Sequence, residues 1–341
     1  MRIALLALEG SLLSAIAGLS DIFWITNQVV LGSPEHAGRF STPPFETVIV
    51  SADEGPVWDA QGRLIPVDCS FLSAGQPDII IATGMALDVS RMPVNSESIR
   101  KAAVWIRRRY EEGARVAGAC AGGFILGEAG LLDGRRCTTT WWLYHTLQQR
   151  YPNARPVWGK ALEEDERVLT SGGPLSWVAL ALHIIKREAG ADVARLTADM
   201  AVADSQPLSQ QVYAPPGFIN TRHPLLMCAE EVIRYRNPGI SAEGLATALN
   251  MTERTLQRKI KKLTQESPKE FITRVRIESA CVLLANPVTN IREVAAECGY
   301  TEDTAFRKAF GQVMGMTPSQ YRKWIEERSS LNTVSDLKLN K

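Results

Sequence analysis

The sequence predicts an α/β domain, a parallel sheet with helices on both faces, followed by an all-α domain holding two helix-turn-helix units. Three observations carry that prediction. Over the first two hundred residues, short apolar runs alternate with stretches of helical periodicity, the pattern of parallel strands joined by crossover helices. Residues 205–217 (SQPLSQQVYAPPG) then hold three prolines and no charge. Beyond them strand-like runs stop and nearly everything from Leu225 to Arg328 reads as helix. At 341 residues, 45% hydrophobic and 22% charged, the chain can bury two cores and is too apolar for a disordered or collagen-like polymer.

In chain order, Arg2–Glu9, Phe45–Ala52, Asp78–Gly84 and Ala114–Cys120 are the β-rich runs. Leu12–Val30, Ser96–Glu112, Gly122–Ala129 and Ser176–Ala189 have helical spacing between and after them. Val57–Val67, alternating about Gln61-Gly62, predicts a hairpin, and Arg155–Ser171, turning near Glu164-Asp165, a second. The expected division is 1–204 for the α/β domain, 205–217 for a Pro-stiffened linker, 218–328 for the helical domain and 329–341 for a polar, fraying tail.

A formal net charge of +1 hides an asymmetry. Residues 218–341 carry 19 Lys+Arg against 14 Asp+Glu, while residues 1–217 carry 19 against 23. A net of +5 on the helical half points to a polyanion partner. The six cysteines stand singly, with no Cys-x-x-Cys pair, which excludes a zinc ribbon or a disulfide scaffold and fits a reducing cytoplasm. No metal and no cofactor is expected. No membrane partner is expected either: Ile16–Val30 is interrupted by Gly18, Asp21 and Asn27, and Met1–Leu6 leads into a strand rather than to a signal-peptide cleavage site.

The helical half repeats one plan. Ser241 caps a short helix over Ser241–Ala248, Leu249-Asn250-Met251 turns, and Thr252 caps Glu253–Leu263. Then Asn290–Glu297 is the short helix, Cys298-Gly299-Tyr300 the turn, and Thr301 the cap of Glu302–Val313. Pro268–Ala285 joins the two as one longer helix. At 100° per residue Leu256, Ile260 and Leu263 share a stripe, and Arg254, Arg258 and Lys261 lie opposite. An apolar back and a basic front are what a helix entering the major groove needs. In the second unit Phe306, Phe310 and Val313 form the back, with Thr304, Arg307 and Lys308 outward behind an acidic leading edge, Glu302-Asp303. The candidate DNA contacts are therefore Arg254, Thr255, Arg258, Lys261, Thr304, Arg307 and Lys308. The plainer alternative is an all-α interaction domain with solvated basic faces.

Four stretches, Ile240–Leu263, Ile291–Tyr300, Ala305–Phe310 and Gly315–Arg322 (GMTPSQYR), resemble the AraC/XylS-type DNA-binding domain, whose ending G-x-[ST]-P-x-x-[YF]-R the last one matches. The resemblance spans residues ~225–327 and implies that both units enter successive major grooves about one turn apart.

In the α/β half, Ala114–Ala129 (ARVAGACAGGFILGEA) reads as a strand, a tight turn and a helix with Cys120 at the turn. Gly118, Ala119, Ala121, Gly122 and Gly123 leave room for the backbone crowding of a nucleophile elbow. A thiol at a helix N-terminus is favoured as thiolate, so Cys120 is a candidate nucleophile; a small buried residue in a tight turn is the plain alternative. A nucleophile needs a base, and a third group to orient that base. The segment resembles the class I glutamine amidotransferase-like superfamily in its PfpI-type branch. Residues ~1–200 followed by the AraC-type domain resemble the GlxA-type transcription regulators. Thr140, in Glu128–Trp142 (EAGLLDGRRCTTTWW), stands where enzyme-like members carry a histidine. The acid they place after the first strand is absent from Leu13–Gly18. His145 and His183 read as structural histidines.

The resemblance implies a flavodoxin-like sensor domain, probing a small-molecule effector and dimerising, and a C-terminal domain bound to double-stranded promoter DNA, with RNA polymerase as a further partner. Cys120, Thr140, Trp141 and Trp142 are the pocket candidates at the carboxyl edge of the sheet, where open α/β sheets take ligands. No catalytic activity is expected. Two alternatives stand beside this reading: a cysteine-dependent amidase or glyoxalase-like enzyme using Cys120 and fused to a DNA-binding module, and a dimerisation scaffold without a ligand.

Overall fold

The computed structural model describes residues 1–33, 38–89, 91–94, 96–204, 207–214, 223–286 and 288–336. The chain divides into two compact units, Met1–Pro207 and Leu208–Lys341.

The first unit runs β1 (Arg2–Leu6), α1 (Leu13–Gly32), β2 (Glu46–Ser51), β3 (Val57–Trp58), β4 (Leu64–Ile65), β5 (Cys69–Ser70), β6 (Ile79–Ala82), α2 (Ser96–Glu111), β7 (Arg115–Ala119), α3 (Gly122–Glu128), β8 (Arg136–Cys137), α4 (Tyr144–Arg150), β9 (Arg155–Pro156), β10 (Leu162–Asp165), β11 (Val168–Ser171), α5 (Trp177–Glu188) and α6 (Ala191–Met200). Seven strands form one sheet in the order β10-β11-β7-β6-β1-β2-β5, and every pairing is parallel except the edge pair β10–β11. The near-continuous apolar strands follow from burial on both faces. Ala4, Leu6, Ile80, Ala82 and Val116 face a core shared with α2 and α3. Their neighbours Ile3, Leu5, Ile79, Ile81 and Ala117 face the opposite core, shared with α1, α5 and α6. α1 is long and apolar enough to cross a membrane by length and composition, yet its Ile16, Leu19, Phe23 and Val30 are buried in that second core.

Val57–Trp58 and Leu64–Ile65 form the first expected hairpin. The second is narrower than expected. Only Leu162–Ser171 folds back, turning at Glu166 in a left-handed conformation (φ 56°), while Arg155–Pro156 pairs in parallel with β8.

The second unit runs from a 3-10 turn, Gln210–Val212, through α7 (Pro224–Glu231), a π-helical turn Val232–Arg236, α8 (Ala242–Ala248), α9 (Glu253–Thr264), α10 (Pro268–Leu284), α11 (Ile291–Glu297), α12 (Asp303–Met314) and α13 (Pro318–Asp336). It has two apolar cores, one per helix-turn-helix, and α10 serves both. Phe271, Ile272 and Val275 on its first half pack with Leu245, Leu256 and Ile260. Ile277, Ala280, Cys281 and Leu284 on its second half pack with Val294, Phe306 and Phe310. One uninterrupted helix thus fixes the spacing of the two units, and Ser267 and Glu270 close a capping box at its start.

Three expectations need correction here. The stretch 205–217 is not linker throughout: Val212 is 6% exposed in the second core and the Tyr213 ring meets Trp324 edge-on, so residues 208–214 belong to the helical unit. Residues 205–206 and 215–222 lie outside the described set. The tail does not begin at 329, because α13 continues to Asp336. Thr301 does not cap α12; Glu302 occupies the N-cap position, with no side-chain bond to the helix.

Candidate nucleic-acid interface and the residual elbow

Both helix-turn-helix units are built by one backbone device. In the first, Asn250 adopts a left-handed conformation (φ 54°) and the Met251 amide returns to the Ala246 carbonyl at 2.9 Å. In the second, Gly299 does so (φ 78°) and the Tyr300 amide returns to the Ala295 carbonyl at 2.9 Å. Ser241 and Asn290 accept first-turn amides of α8 and α11. Thr252 caps α9, accepting the Thr255 amide at 3.3 Å.

The amphipathic division of α9 is as the sequence requires. Leu256 and Ile260 are fully buried, Leu263 partly, and Arg254, Arg258 and Lys261 are exposed. Arg254 and Arg258 have no carboxylate partner among the described residues. Lys261 Nζ instead donates to the Gln265 carbonyl at 2.6 Å, where the helix ends in a left-handed residue. The Thr255 hydroxyl accepts from Thr252 at 3.0 Å and is only half-exposed. Lys259 and Lys262, which the periodicity argument passed over, are exposed too and widen the basic face. On α12 Thr304, Arg307 and Lys308 are exposed, but Arg307 Nε donates to Asp303 Oδ2 at 2.6 Å, so the acidic leading edge holds that guanidinium. The first unit therefore presents more uncommitted positive charge than the second.

In the α/β unit Cys120 sits at the carboxyl end of β7 with φ 54°, a strained conformation for a side chain other than glycine. The crowding is literal: a Cβ on Gly122 would lie 2.2 Å from the Ala82 carbonyl oxygen. The geometry of a nucleophile elbow is thus present, and the amides of Ala121 and Gly173 point at the sulfur. Burial opposes the thiolate there: it pushes the Cys120 thiol up to about 11, outweighing those two amides, and the residue is 4% exposed. Leu12 and Cys120 converge on Gly84: a Cβ there would be 3.0 Å from Leu12 Cδ1 and 3.6 Å from Cys120 Cβ. Leu12 therefore brings an apolar side chain to the elbow. His183 is engaged elsewhere, its Nε2 2.7 Å from Glu164 Oε2 on the edge strand, and His145 lies edge-on against Tyr144.

The pocket candidates come only partly together. Thr140 is 2% exposed, and its neighbour Thr139 donates to the Cys120 carbonyl at 3.3 Å, so the 138–140 stretch abuts the elbow from behind. Trp142 packs against the same core as Cys120, with the Arg91 guanidinium 6.0 Å from its ring and Arg91 donating to its carbonyl at 2.7 Å. Trp141 is half-buried. A separate crevice of about 320 Å³ lies at the carboxyl ends of β1 and β2, lined by Glu9, Ser51, Asp53, Glu97 and Lys101 among others.

A doubly covered sheet with a nucleophile-elbow turn, carried on the same chain as a paired helix-turn-helix unit, defines a protein of the DNA-binding class with an appended α/β domain. Residues 35–187 match the DJ-1/PfpI family and residues 245–323 a helix-turn-helix domain family. The chain thus joins a DJ-1/PfpI-type domain to a helix-turn-helix domain of the AraC type, and the relatives it resembles are HTH-type transcriptional regulators. It is 27% identical over 294 residues to the HTH-type transcriptional regulator CdhR of Pseudomonas aeruginosa, covering 84% of each chain. To the HTH-type transcriptional regulator GlxA of Rhizobium meliloti it is 25% identical over 222 residues, covering 64% of this chain and 68% of that one. Isonitrile hydratase of Pseudomonas putida is 29% identical over 156 residues, 46% of this chain and 65% of the enzyme.

Proposed function

We propose that the chain is a one-component transcription regulator of the cytoplasm: the helical unit binds a specific site in promoter DNA, and the α/β unit senses a small molecule that biases that binding. The observation that carries this reading is the pair of helix-turn-helix units on one continuous helix, each with its second helix buried on the apolar side and basic on the other. The effector acts by differential affinity for two arrangements of the regulator. Homodimerisation through the α/β unit, and contact with RNA polymerase, belong to the same reading.

The test is recovery of genomic DNA bound by the purified protein at a stated salt concentration. One recurrent site with two half-elements about a turn apart is the expected result; salt-sensitive background alone would sink it. On the recovered site Arg258→Ala should weaken binding by about 1–3 kcal/mol if Arg258 reads a base. An equal loss on every sequence would make it a phosphate contact instead. Ligand sensing is tested by thermal shift against amines, amino acids and carboxylates, since a ligand bound only to the folded state raises its melting temperature. A flat screen would leave the α/β unit a dimerisation scaffold.

The strained elbow favours a second reading, a cysteine amidase or glyoxalase-like enzyme. Burial of the thiol and the leucine beside it count against that reading. With the thiol at about 11, iodoacetamide near neutral pH is expected to modify the exposed Cys228 well before Cys120. Peptide mass mapping decides it: fast, selective alkylation of Cys120 would restore the enzyme.

A further inference from the structure

The two helix-turn-helix units do not meet flush. Between them lies a cleft of about 530 Å³ whose floor is the first half of α10 and whose walls are the backbone at 239–242, leading into α8, and the outer face of α12. Lys269, Thr273 and Arg276 rise from the floor, Tyr300 closes the end, and Lys308 and Gln312 line the α12 wall. No carboxylate is among the lining residues. Arg276 Nη2 donates to the Ile240 carbonyl at 2.9 Å and its guanidinium lies 5.6 Å from the Tyr300 ring centre. Its Nε and the Tyr300 hydroxyl are buried without a hydrogen-bond partner.

Away from the exposed face of α9, several guanidinium groups of this unit are neutralised at close range. Arg234, Arg236, Arg274 and Arg307 each hold a carboxylate. Lys269, Arg276 and Lys308 hold none among the described residues. Three uncompensated cations around one concavity with a partly apolar floor, which includes Ile272, focus the field on an anion. Lys308 also places the cleft in register with DNA, because it stands on the outward face of the second recognition helix. A duplex that accepts α9 and α12 in successive major grooves must carry its sugar–phosphate backbone across the segment joining them, and α10 is that segment.

We infer that the cleft between the two helix-turn-helix units seats the phosphodiester backbone of the DNA lying between the two recognised grooves, with Lys269 and Lys308 as direct phosphate contacts and Arg276 contributing charge from beneath. The inference rests on the DNA-binding reading and adds a contact blind to base sequence. The seat therefore fixes register and salt dependence without adding specificity.

The full chain, the double variant Lys269→Gln/Lys308→Gln and the single variant Thr273→Lys are compared on the recovered duplex and on an equally long duplex of arbitrary sequence, across a range of salt. The double variant is expected to bind both duplexes on the order of tenfold more weakly, by the same factor, and to lose up to about two from the slope of log K against log salt. Thr273→Lys adds a cation to the floor, so it should tighten both duplexes and steepen the slope by about one. Circular dichroism melts verify that each variant is folded. Unchanged affinity and slope in both variants, with wild type bound, would overturn the seat and leave the DNA reading standing. A loss confined to the recovered duplex would make the lysines base readers and overturn it too. Displacement of the arbitrary duplex by inorganic phosphate, where chloride of equal ionic strength does not displace it, would assign the cleft to a free anion. No binding of wild type to either duplex at low salt would end both readings.

Discussion

Arg274→Met should lower the stability of the helical unit by about 3–5 kcal/mol, although methionine suits a helix and matches the aliphatic part of the side chain. Arg274 is the largest fully buried side chain, its side chain 2% exposed in the middle of α10. Its guanidinium donates to Glu266 at 2.9 Å and to Glu278 at 2.8 Å, and Arg234 reaches Glu278 and Glu230 from the other side. Burial works against the charge on Arg274, and the pull of Glu266 and Glu278 outweighs it, so the guanidinium is held firmly protonated. Removing it strands carboxylates in the interior, which costs far more than the pair itself contributes. Against a total of about 5–15 kcal/mol for a domain, such a loss is close to unfolding. In urea the midpoint of the helical unit should fall by roughly 2 M, at an m-value near 2 kcal/mol/M. A triple variant, Arg274→Met with Glu266→Gln and Glu278→Gln, should recover much of it, because neutral partners need no counter-charge. A single variant with an unshifted midpoint would refute the account. The link to function runs through Glu266: it lies two residues past α9, so Arg274 ties the end of that recognition helix to the joining helix.

The doubly covered α/β sheet and the two helix-turn-helix units were legible in the sequence because both rest on local signals. Parallel strands buried on both faces read as apolar runs such as Ile79–Ala82, and α9 is bracketed by a Thr252 cap and a strict apolar stripe. What misled lies in tertiary contact. Proline content suggested that 205–217 serves only as linker, but one valine, Val212, finds a core to enter. Thr301 has the right chemistry for a cap and the wrong position, since α12 starts two residues later. At the candidate interface, charge type and helical phase located Arg254 and Arg258 correctly on an exposed face. Periodicity does not report that Asp303 would hold Arg307, or that Lys261 would turn to the end of its own helix. The Lys269–Arg276–Lys308 cleft had no sequence signal, because its three cations come from two helices brought together only by folding.

Gly299→Ala should separate the two units from each other without unfolding either. The second unit needs a left-handed residue at this turn, and the first unit has Asn250 there (φ 54°), so left-handed backbone alone does not demand glycine. Contact demands it. A Cβ on Gly299 would lie 2.3 Å from the carbonyl carbon and oxygen of Pro238 and 2.5 Å from the Gly239 amide nitrogen. These are backbone atoms that cannot swing aside, and they belong to the loop entering the first unit. Alanine must therefore push the second turn off that loop and change the angle between α9 and α12. Each recognition helix keeps its own core, so helix content by circular dichroism should change little. Binding to a site with both half-elements depends on one protein meeting both at once, and coupling of that kind is worth about 100-fold or more in affinity. Gly299→Ala should lose that factor on the two-element site, and its footprint should shrink to one half-element. Gly299→Asn should fail equally, although asparagine serves at 250, while Asn250→Gly should bind as wild type. If Gly299→Asn bound normally, the requirement would be backbone conformation rather than contact, and the proposed docking of the two units through Pro238 and Gly239 would be wrong.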